Sequence, residues 1–339
     1  MKALVITEHG PPDVMRVQER PDPQPGPGQV RVRVQAAGVN FADLLARVGL
    51  YPDAPKPPCV IGYEIAGDVD AVGEGVESPL VGQRVMGGCR FGGYAQLAVT
   101  GADAVVPMPD GWSYAEGAAL PVTYGTAYAG LVRFGGLRSG ERVLIQAAGG
   151  GVGIAATQIA KLVGAEVYGT ASPPKHDAIR ALGVDHAIDY RTHDVVDEIR
   201  RVSGEKQPLD LVFDALGGRS FKQSFSLLRP GGRLVCYGAS EVQAGERRSP
   251  LRAVRVLAQM PRFNPMRLMS DSKSVIGLNM LTLWDSKGRL DEFVEPLRAW
   301  VEEAAIRPVV AKEFRLDGGA DAHRYMHERK NIGKVVLTL

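Results

Sequence analysis

The run Ala147-Ala148-Gly149-Gly150-Gly151-Val152-Gly153 has the composition of a phosphate cradle, and its flanks supply the two elements such a cradle needs. Arg142-Val143-Leu144-Ile145-Gln146 before it reads as a buried parallel strand, and residues 154–161 after it have helical spacing. Residues without bulky side chains let the backbone approach a pyrophosphate, and unpaired amides at a helix start attract its charge. Strand, glycine turn and helix together predict a dinucleotide site built on Gly149, Gly150, Gly151, Val152 and Gly153. At the end of the next strand an NAD site usually places Asp or Glu against the ribose 2′-hydroxyl. This chain has Thr170-Ala171-Ser172-Pro173-Pro174-Lys175-His176 there. Nothing in it repels a 2′-phosphate, and Ser172 and Lys175, with His176 as a second cation when protonated, favour one. NADPH is therefore the expected cofactor, in preference to NADH.

The elements that must hold this cradle fill the second half of the chain. Apolar strands are expected at 143–146, 167–170, 187–189, 211–214, 234–237 and 274–280, with helices near 175–182, 195–202 and 220–228. Strands alternating with crossover helices make a doubly wound parallel sheet, so the fold class is α/β. The first third differs. Val30-Arg31-Val32-Arg33-Val34 alternates as a half-buried strand does, and short β-like runs are punctuated by Pro and Gly. After Leu290 a helix to Glu303 and strands at 309–314 and 334–338 complete the chain. The expected division is 1–122, 123–283 and 284–339, the last segment rejoining the first domain and leaving a substrate cleft between the lobes.

Composition narrows the classes. At 339 residues two domains are the prior, and 45% hydrophobic with 23% charged residues is ordinary for a globular enzyme. A formal charge of +2, with no aromatic or basic groove, gives no case for nucleic acid. Cys59, Cys89 and Cys236 are scattered too widely for a disulfide framework or metal knuckle. The chain enters Lys2-Ala3-Leu4-Val5-Ile6 directly, without a signal-peptide pattern, and no apolar run is long enough to span a bilayer. A cytoplasmic protein, at most peripheral at a membrane face, is expected.

With these parts in view the chain resembles the medium-chain dehydrogenase/reductase superfamily, and within it the zinc-independent quinone oxidoreductase branch. Gly140-Glu141, Leu144, Ala148 to Gly151, Gly153, Gln158 and Lys161 sit at that branch's spacing. The resemblance narrows towards the vesicle amine transport protein type through Ala37-Gly38-Val39-Asn40-Phe41-Ala42-Asp43-Leu44, Gly169-Thr170-Ala171-Ser172, Ile188-Asp189-Tyr190 and Lys330-Asn331-Ile332-Gly333-Lys334. It implies a GroES-like β-rich domain joined to a Rossmann domain, and a homodimer. Zinc alcohol dehydrogenases carry Cys where this chain has Asn40, and Gly-His-Glu where it has Gly62-Tyr63-Glu64. Asn and Tyr are poor zinc ligands, so no metal is expected and Glu64 is read as a structural residue.

The resemblance places Asn40 and Tyr51 on loops facing the acceptor oxygen, and Tyr63 could share that role from the vacated zinc position. An Asn that holds a turn and a Tyr that packs under a proline are the alternatives. Asp43 reads as a helix or loop anchor. Thr126, Tyr190, Gly238 and Asn331 join the glycine run, Thr170, Ser172 and Lys175 as cofactor contacts. The implied activity is hydride transfer from NADPH to a quinone or α,β-unsaturated carbonyl. The rivals are an enoyl-thioester reductase and an NADPH-binding peripheral membrane or lipid-binding protein.

One segment stands apart. Arg247, Arg248, Arg252, Arg255, Arg262 and Arg267 alternate with Leu251, Val254, Leu257, Met260, Phe263 and Met266, with no acid among them. Pro261 and Pro265 break any continuous helix. Either residues 247–267 form a lid whose apolar side chains line the substrate pocket, or they rest weakly on anionic lipid.

Overall fold

Val30, Val32 and Val34 are buried while Arg31, Arg33 and Gln35 between them are less so, and this alternation builds the longest strand of the protein. The computed structural model describes residues 1–243, 245–287 and 291–339. In chain order the strands are β1 (Lys2–Ile6), β2 (Met15–Glu19), β3 (Gln29–Val39), β4 (Cys59–Val60), β5 (Glu64–Val72), β6 (Arg84–Gly88), β7 (Leu97–Gly101), β8 (Val105–Pro107), β9 (Arg142–Ile145), β10 (Glu166–Ala171), β11 (His186–Asp189), β12 (Leu209–Asp214), β13 (Leu228–Cys236), β14 (Ser274–Gly277), β15 (Val310–Arg315) and β16 (Lys334–Thr338). Two units divide them. One holds Met1–Thr123, Gly245–Arg248 and Leu281–Leu339, the other Tyr124–Ala244 and Ser249–Met280.

In the first unit a sheet runs β15-β16-β3-β5-β6-β8, with β7 also on β3, and β2-β1-β4 form a smaller sheet. Its core gathers Leu4, Ile6, Val30, Val32, Leu44 and Ile65. β16 pairs antiparallel with β3 through Val335 and Val39, so the end of the chain is stitched to its first third.

Helix Phe41–Arg47 ends in a fully buried guanidinium. Arg47 donates to the Gly10 carbonyl, to the Glu246 carbonyl at 3.2 Å and to His323 Nδ1 at 3.2 Å, and it lies 3.0 Å from His327 Nε2. Both imidazoles must be neutral to accept. Burial and then Arg47 hold His327 down to about 4. The unfolded chain titrates this residue near 6.5, so it takes up protons more readily than the folded unit does. Stability from this group is complete above about pH 6.5 and is lost as pH falls through about 4. The thermal midpoint should decline over that window, and His327→Gln should flatten the decline. An unchanged slope in the variant would show that His327 does not carry it.

The second unit is a parallel sheet in the order β11-β10-β9-β12-β13-β14. Connections run one way from β9 through β10 to β11 and the other way from β12 to β14, so β9 and β12 flank the switch point where ligands bind beyond the strand ends. Helices Gly151–Val163, His176–Ala181, Val195–Ser203 and Arg219–Leu227 return the chain. Several expected bounds need correction, and the strand expected at 234–237 begins six residues earlier, as Leu228–Cys236. The strand expected at 274–280 stops at Gly277, because its register against β13 ends there at Cys236, and Met280 opens the helix Met280–Lys287. The strand expected at 309–314 is Val310–Arg315, following its register with β16.

Residues 247–267 contain the helix Pro250–Ala258 and the start of a second, Pro265–Asp271. Prolines at the first helical position suit both starts. The lid reading had all six apolar side chains lining a pocket. Leu251, Val254, Leu257 and Met266 are 86%, 65%, 58% and 69% exposed, while Met260 and Phe263 pack on the core of this unit. Ala253 and Val256 are the buried positions of the first helix, and a single short helix has only one face to bury.

Candidate functional site

β9 delivers the chain into the glycine turn, and the turn is held by β10. Thr170 on β10 accepts from the Ala147 amide at 3.0 Å and donates to Gln146 Oε1 at 2.7 Å, while its carbonyl accepts from the Ala148 amide at 2.9 Å. These bonds fix Ala147 in the left-handed region, φ 56°, a conformation that needs outside support in a residue with a side chain. Thr170 was expected to contact cofactor. In the structure its hydroxyl and carbonyl set the turn. Gly150 then caps the helix Gly151–Val163 without any side-chain bond to the first amides. Those amides are the donors a pyrophosphate needs.

Close packing explains the glycines. A Cβ on Gly153 would stand 2.4 Å from the Ala147 carbonyl oxygen and 2.7 Å from Ala148 Cα. A Cβ on Gly149 would stand 2.9 Å from Lys175 Cδ. The Lys175 stem therefore passes directly over the glycine turn. Ser172 is buried at the start of the short turn Pro173–Lys175, ahead of Lys175. His176 lies 3.1 Å from the Ala171 carbonyl through Nε2. Tyr190 is half-buried just past β11, Gly238 follows β13 with a Cβ there standing 3.0 Å from the Ala215 carbonyl oxygen, and Thr126 is buried in the helix Pro121–Tyr128. All of these belong to the second unit.

Asn40, Tyr51, Tyr63 and Asn331 belong to the first unit. Asn40 follows β3, Glu64 opens β5 and Lys334 opens β16, so three neighbouring strands bring their ends together. The Lys334 ammonium lies 2.5 Å from Glu64 Oε1 and donates to Asn40 Oδ1 at 2.6 Å. Asn40 Nδ2 donates to Glu64 Oε1 at 2.9 Å, and the Val122 amide donates to Glu64 Oε2 at 2.8 Å. Glu64 is fully buried and Lys334 is 4% exposed. Gly38 makes the room, since a Cβ there would stand 2.5 Å from the Glu64 carboxylate. Asn40 thus has its amide tied into a buried ion pair, and Asp43 closes a capping box on its backbone at 2.7 Å. Tyr94 donates to the same Asp43 oxygen at 2.7 Å, while burial pushes the Asp43 carboxyl up to about 7.

Beside this network Tyr63 packs edge-on to Tyr51 at 6.2 Å and against Phe91 at 5.0 Å. Burial raises both phenols, Tyr51 to about 12 and Tyr63 further. Both stay protonated at neutral pH. The Tyr63 hydroxyl is buried with no partner among the described residues. Asn331 donates from Nδ2 to the Gly333 carbonyl at 2.9 Å, shaping the turn ahead of β16.

Lys334 closes the motif Lys330-Asn331-Ile332-Gly333-Lys334, which by itself gives it no role. Its signal was a cation at the head of Val335-Val336-Leu337, where an apolar strand start is the rule. What it pairs with was not readable from that alone.

A zinc ion does not fit this donor set. Asn40 and Glu64 already hold an ammonium, and neither a thiolate nor an imidazole stands among them. Among the described residues no group of three or more His, Cys, Asp or Glu is arranged to hold a metal. A dinucleotide fits the cradle, where Gly153 leaves no space for a side chain and the helix start lacks a side-chain cap.

Residues 26–110 match the alcohol dehydrogenase GroES-like domain family and residues 182–337 the zinc-binding dehydrogenase family. The chain belongs to the medium-chain dehydrogenase/reductase superfamily of oxidoreductases, with a GroES-like domain and a Rossmann domain. It is 39% identical over 339 residues to a synaptic vesicle membrane protein VAT-1 homolog of Danio rerio, covering 99% of this chain and 70% of that protein. Among solved structures, the CurK enoyl reductase is 30% identical with a TM-score of 0.86, covering 99% of this chain and 98% of the other. The Escherichia coli quinone oxidoreductase complexed with NADPH is 26% identical with a TM-score of 0.86, covering 100% of both chains. Among the described residues no helix is long and apolar enough to cross a membrane.

Proposed function

We propose that this protein transfers a hydride from NADPH to a quinone or an α,β-unsaturated carbonyl, without zinc. The observation that carries the reading is that Asn40, at a position where the zinc enzymes of the superfamily carry Cys, is bound by the Lys334 ammonium and Glu64. Alcohol oxidation in those enzymes relies on a Lewis acid to stabilise an alkoxide. A conjugated acceptor needs less, because it delocalises the incoming charge itself.

Bound NADPH supplies the hydride. The chain's own groups bind and orient. Gly149 to Gly153 and the open helix start take the pyrophosphate, with Lys175 and Ser172 reading the 2′-phosphate. Thr126, Tyr190, Gly238 and Asn331 complete the cofactor contacts in this reading, and Thr170 contributes by holding the turn. The unpartnered Tyr63 hydroxyl and Tyr51 donate to the acceptor oxygen, and Asn40, held by Lys334, sets the start of the helix Phe41–Arg47 beside them. Tyr51, Tyr63 and Phe91 offer an apolar aromatic wall to a flat acceptor.

NADPH oxidation against a panel of quinones, enones and crotonyl thioesters tests the assignment. Turnover of quinones or enones supports it. Turnover confined to thioesters favours the enoyl-thioester reading, to which the likeness to CurK lends support. Metal independence is a separate expectation: activity survives exhaustive chelation, and elemental analysis finds no stoichiometric zinc. One tightly held zinc per chain would overturn the reading of Asn40 and Tyr63.

We also propose a homodimer. Among the described residues β14 is a sheet edge, with its far ladder unpaired. A monomer by light scattering would remove that proposal. A cytoplasmic location fits the reductase reading.

A further inference from the structure

Exposure is concentrated in one place on the second unit. Leu251, Val254 and Leu257 on the helix Pro250–Ala258 are 86%, 65% and 58% exposed, and Met266 and Met269 on the helix Pro265–Asp271 are 69% and 71% exposed. Ala253 and Val256 face the core, and at a hundred degrees per residue the opposite face of the first helix carries Leu251, Val254, Arg255 and Ala258, with Arg252 and Leu257 at its borders. The helix is thus apolar on both sides, and only one side is covered. Phe263, packed on Phe225 at 5.2 Å, anchors the connection to the second helix.

The same surface is strongly basic. Arg252, Arg255, Arg262 and Arg267 are exposed, and Asp271 is the sole acid from residue 249 to residue 273. Asp271 reaches Arg267 at 3.7 Å, and Arg252 donates to the Glu241 carbonyl at 2.7 Å. A second copy of the chain is a poor occupant, because a two-fold contact would bring like-charged rows together. A neutral apolar groove would leave the arginines without partners. An anionic bilayer answers both features, with lipid phosphates and carboxylates for the guanidiniums and acyl chains for Leu, Val and Met.

We infer that the two helices form a peripheral docking face for an anionic lipid bilayer, with Leu251, Val254, Met266 and Met269 entering the headgroup boundary and Arg255 and Arg262 binding the charged surface. It does not depend on the reductase reading.

The test uses the full chain, co-sedimented with vesicles of phosphatidylcholine alone or with added phosphatidylserine. Binding is expected to the anionic vesicles only, weakening as salt is raised. Replacing Arg255 and Arg262 with Gln should lower binding roughly thirtyfold, from about 1 kcal/mol per basic residue at a charged surface. Leu251→Gln with Val254→Gln should also weaken it, and this loss should persist at low salt. All four positions are exposed, so melting temperature and NADPH affinity should stay at wild-type values. A loss of either would mark a folding fault, and wild-type binding alone then decides the question.

Failure of the wild-type chain to sediment with anionic vesicles at low salt overturns the proposal. Binding indifferent to the Leu251 and Val254 changes overturns the docking geometry, leaving charge adsorption alone. Self-association that these changes abolish, without vesicle binding, would assign the face to a second copy. Specific binding of an acidic protein in place of vesicles would assign it to a protein partner.

Discussion

Replacing Lys334 with Met should lower the unfolding free energy of the first unit by about 3–5 kcal/mol, because it leaves a buried carboxylate without its cation. Glu64 has no route to solvent, being fully buried, and its remaining donors are the Asn40 amide and the Val122 backbone. The side-chain volume hardly changes, so the loss reports charge rather than packing. Denaturant unfolding checks this, and the compensating variant makes it specific. Glu64→Gln combined with Lys334→Met removes both charges and should recover a large part of the stability. If the double variant is no better than Lys334→Met, the ammonium is holding the strand ends by some means other than pairing with Glu64. Activity offers a second readout. Asn40 loses the bond from Lys334 to its Oδ1, so turnover in folded Lys334→Met should drop even where cofactor affinity does not.

Lys175→Ala should weaken NADPH binding by about ten- to a hundredfold, or roughly 1.5–3 kcal/mol, and leave NADH nearly untouched. The Lys175 stem already lies over Gly149, so its ammonium needs little reorganisation to meet a phosphate at the turn. Titration with both cofactors separates the two roles a lysine has here. Loss for NADPH alone means that Lys175 reads the 2′-phosphate. Equal losses mean that it serves the pyrophosphate shared by both cofactors, or the turn itself, and the cofactor preference must then come from elsewhere.

The cofactor unit was legible because its signals are local. A parallel strand, a glycine turn and a helix start occupy consecutive residues, and the steric demand at Gly153 is set by Ala147 and Ala148 only a few positions away. The alternation of apolar strands and helices likewise needed nothing beyond periodicity. Thr170 shows where local reading stops. Its position beside the cofactor strand was plain, but its hydroxyl is taken by Gln146 and Ala147 across the sheet. The end of β14 moved for a similar reason, as the length of a strand is fixed by its partner's register.

The sequence by itself determined that Asn40 and Tyr63 stand where zinc enzymes carry Cys and His, and that a strand, a glycine turn and a helix start follow one another, since residue identity and local spacing are enough to decide each. Only the tertiary structure decided what stands near Asn40 and which way the arginine-rich segment faces. Asn40 and Lys334 are 294 positions apart, and nothing short of the β3–β16 pairing brings them within a hydrogen bond. The apolar residues of 251–266 have helical spacing whichever way they point. Which of them are covered depends on the sheet and helices beneath, where Ala253 and Val256 take the inner face and Leu251 and Val254 are left in solvent. Spacing records periodicity along the chain, whereas pairing across strands and the side a helix buries are settled by contacts between residues far apart in sequence.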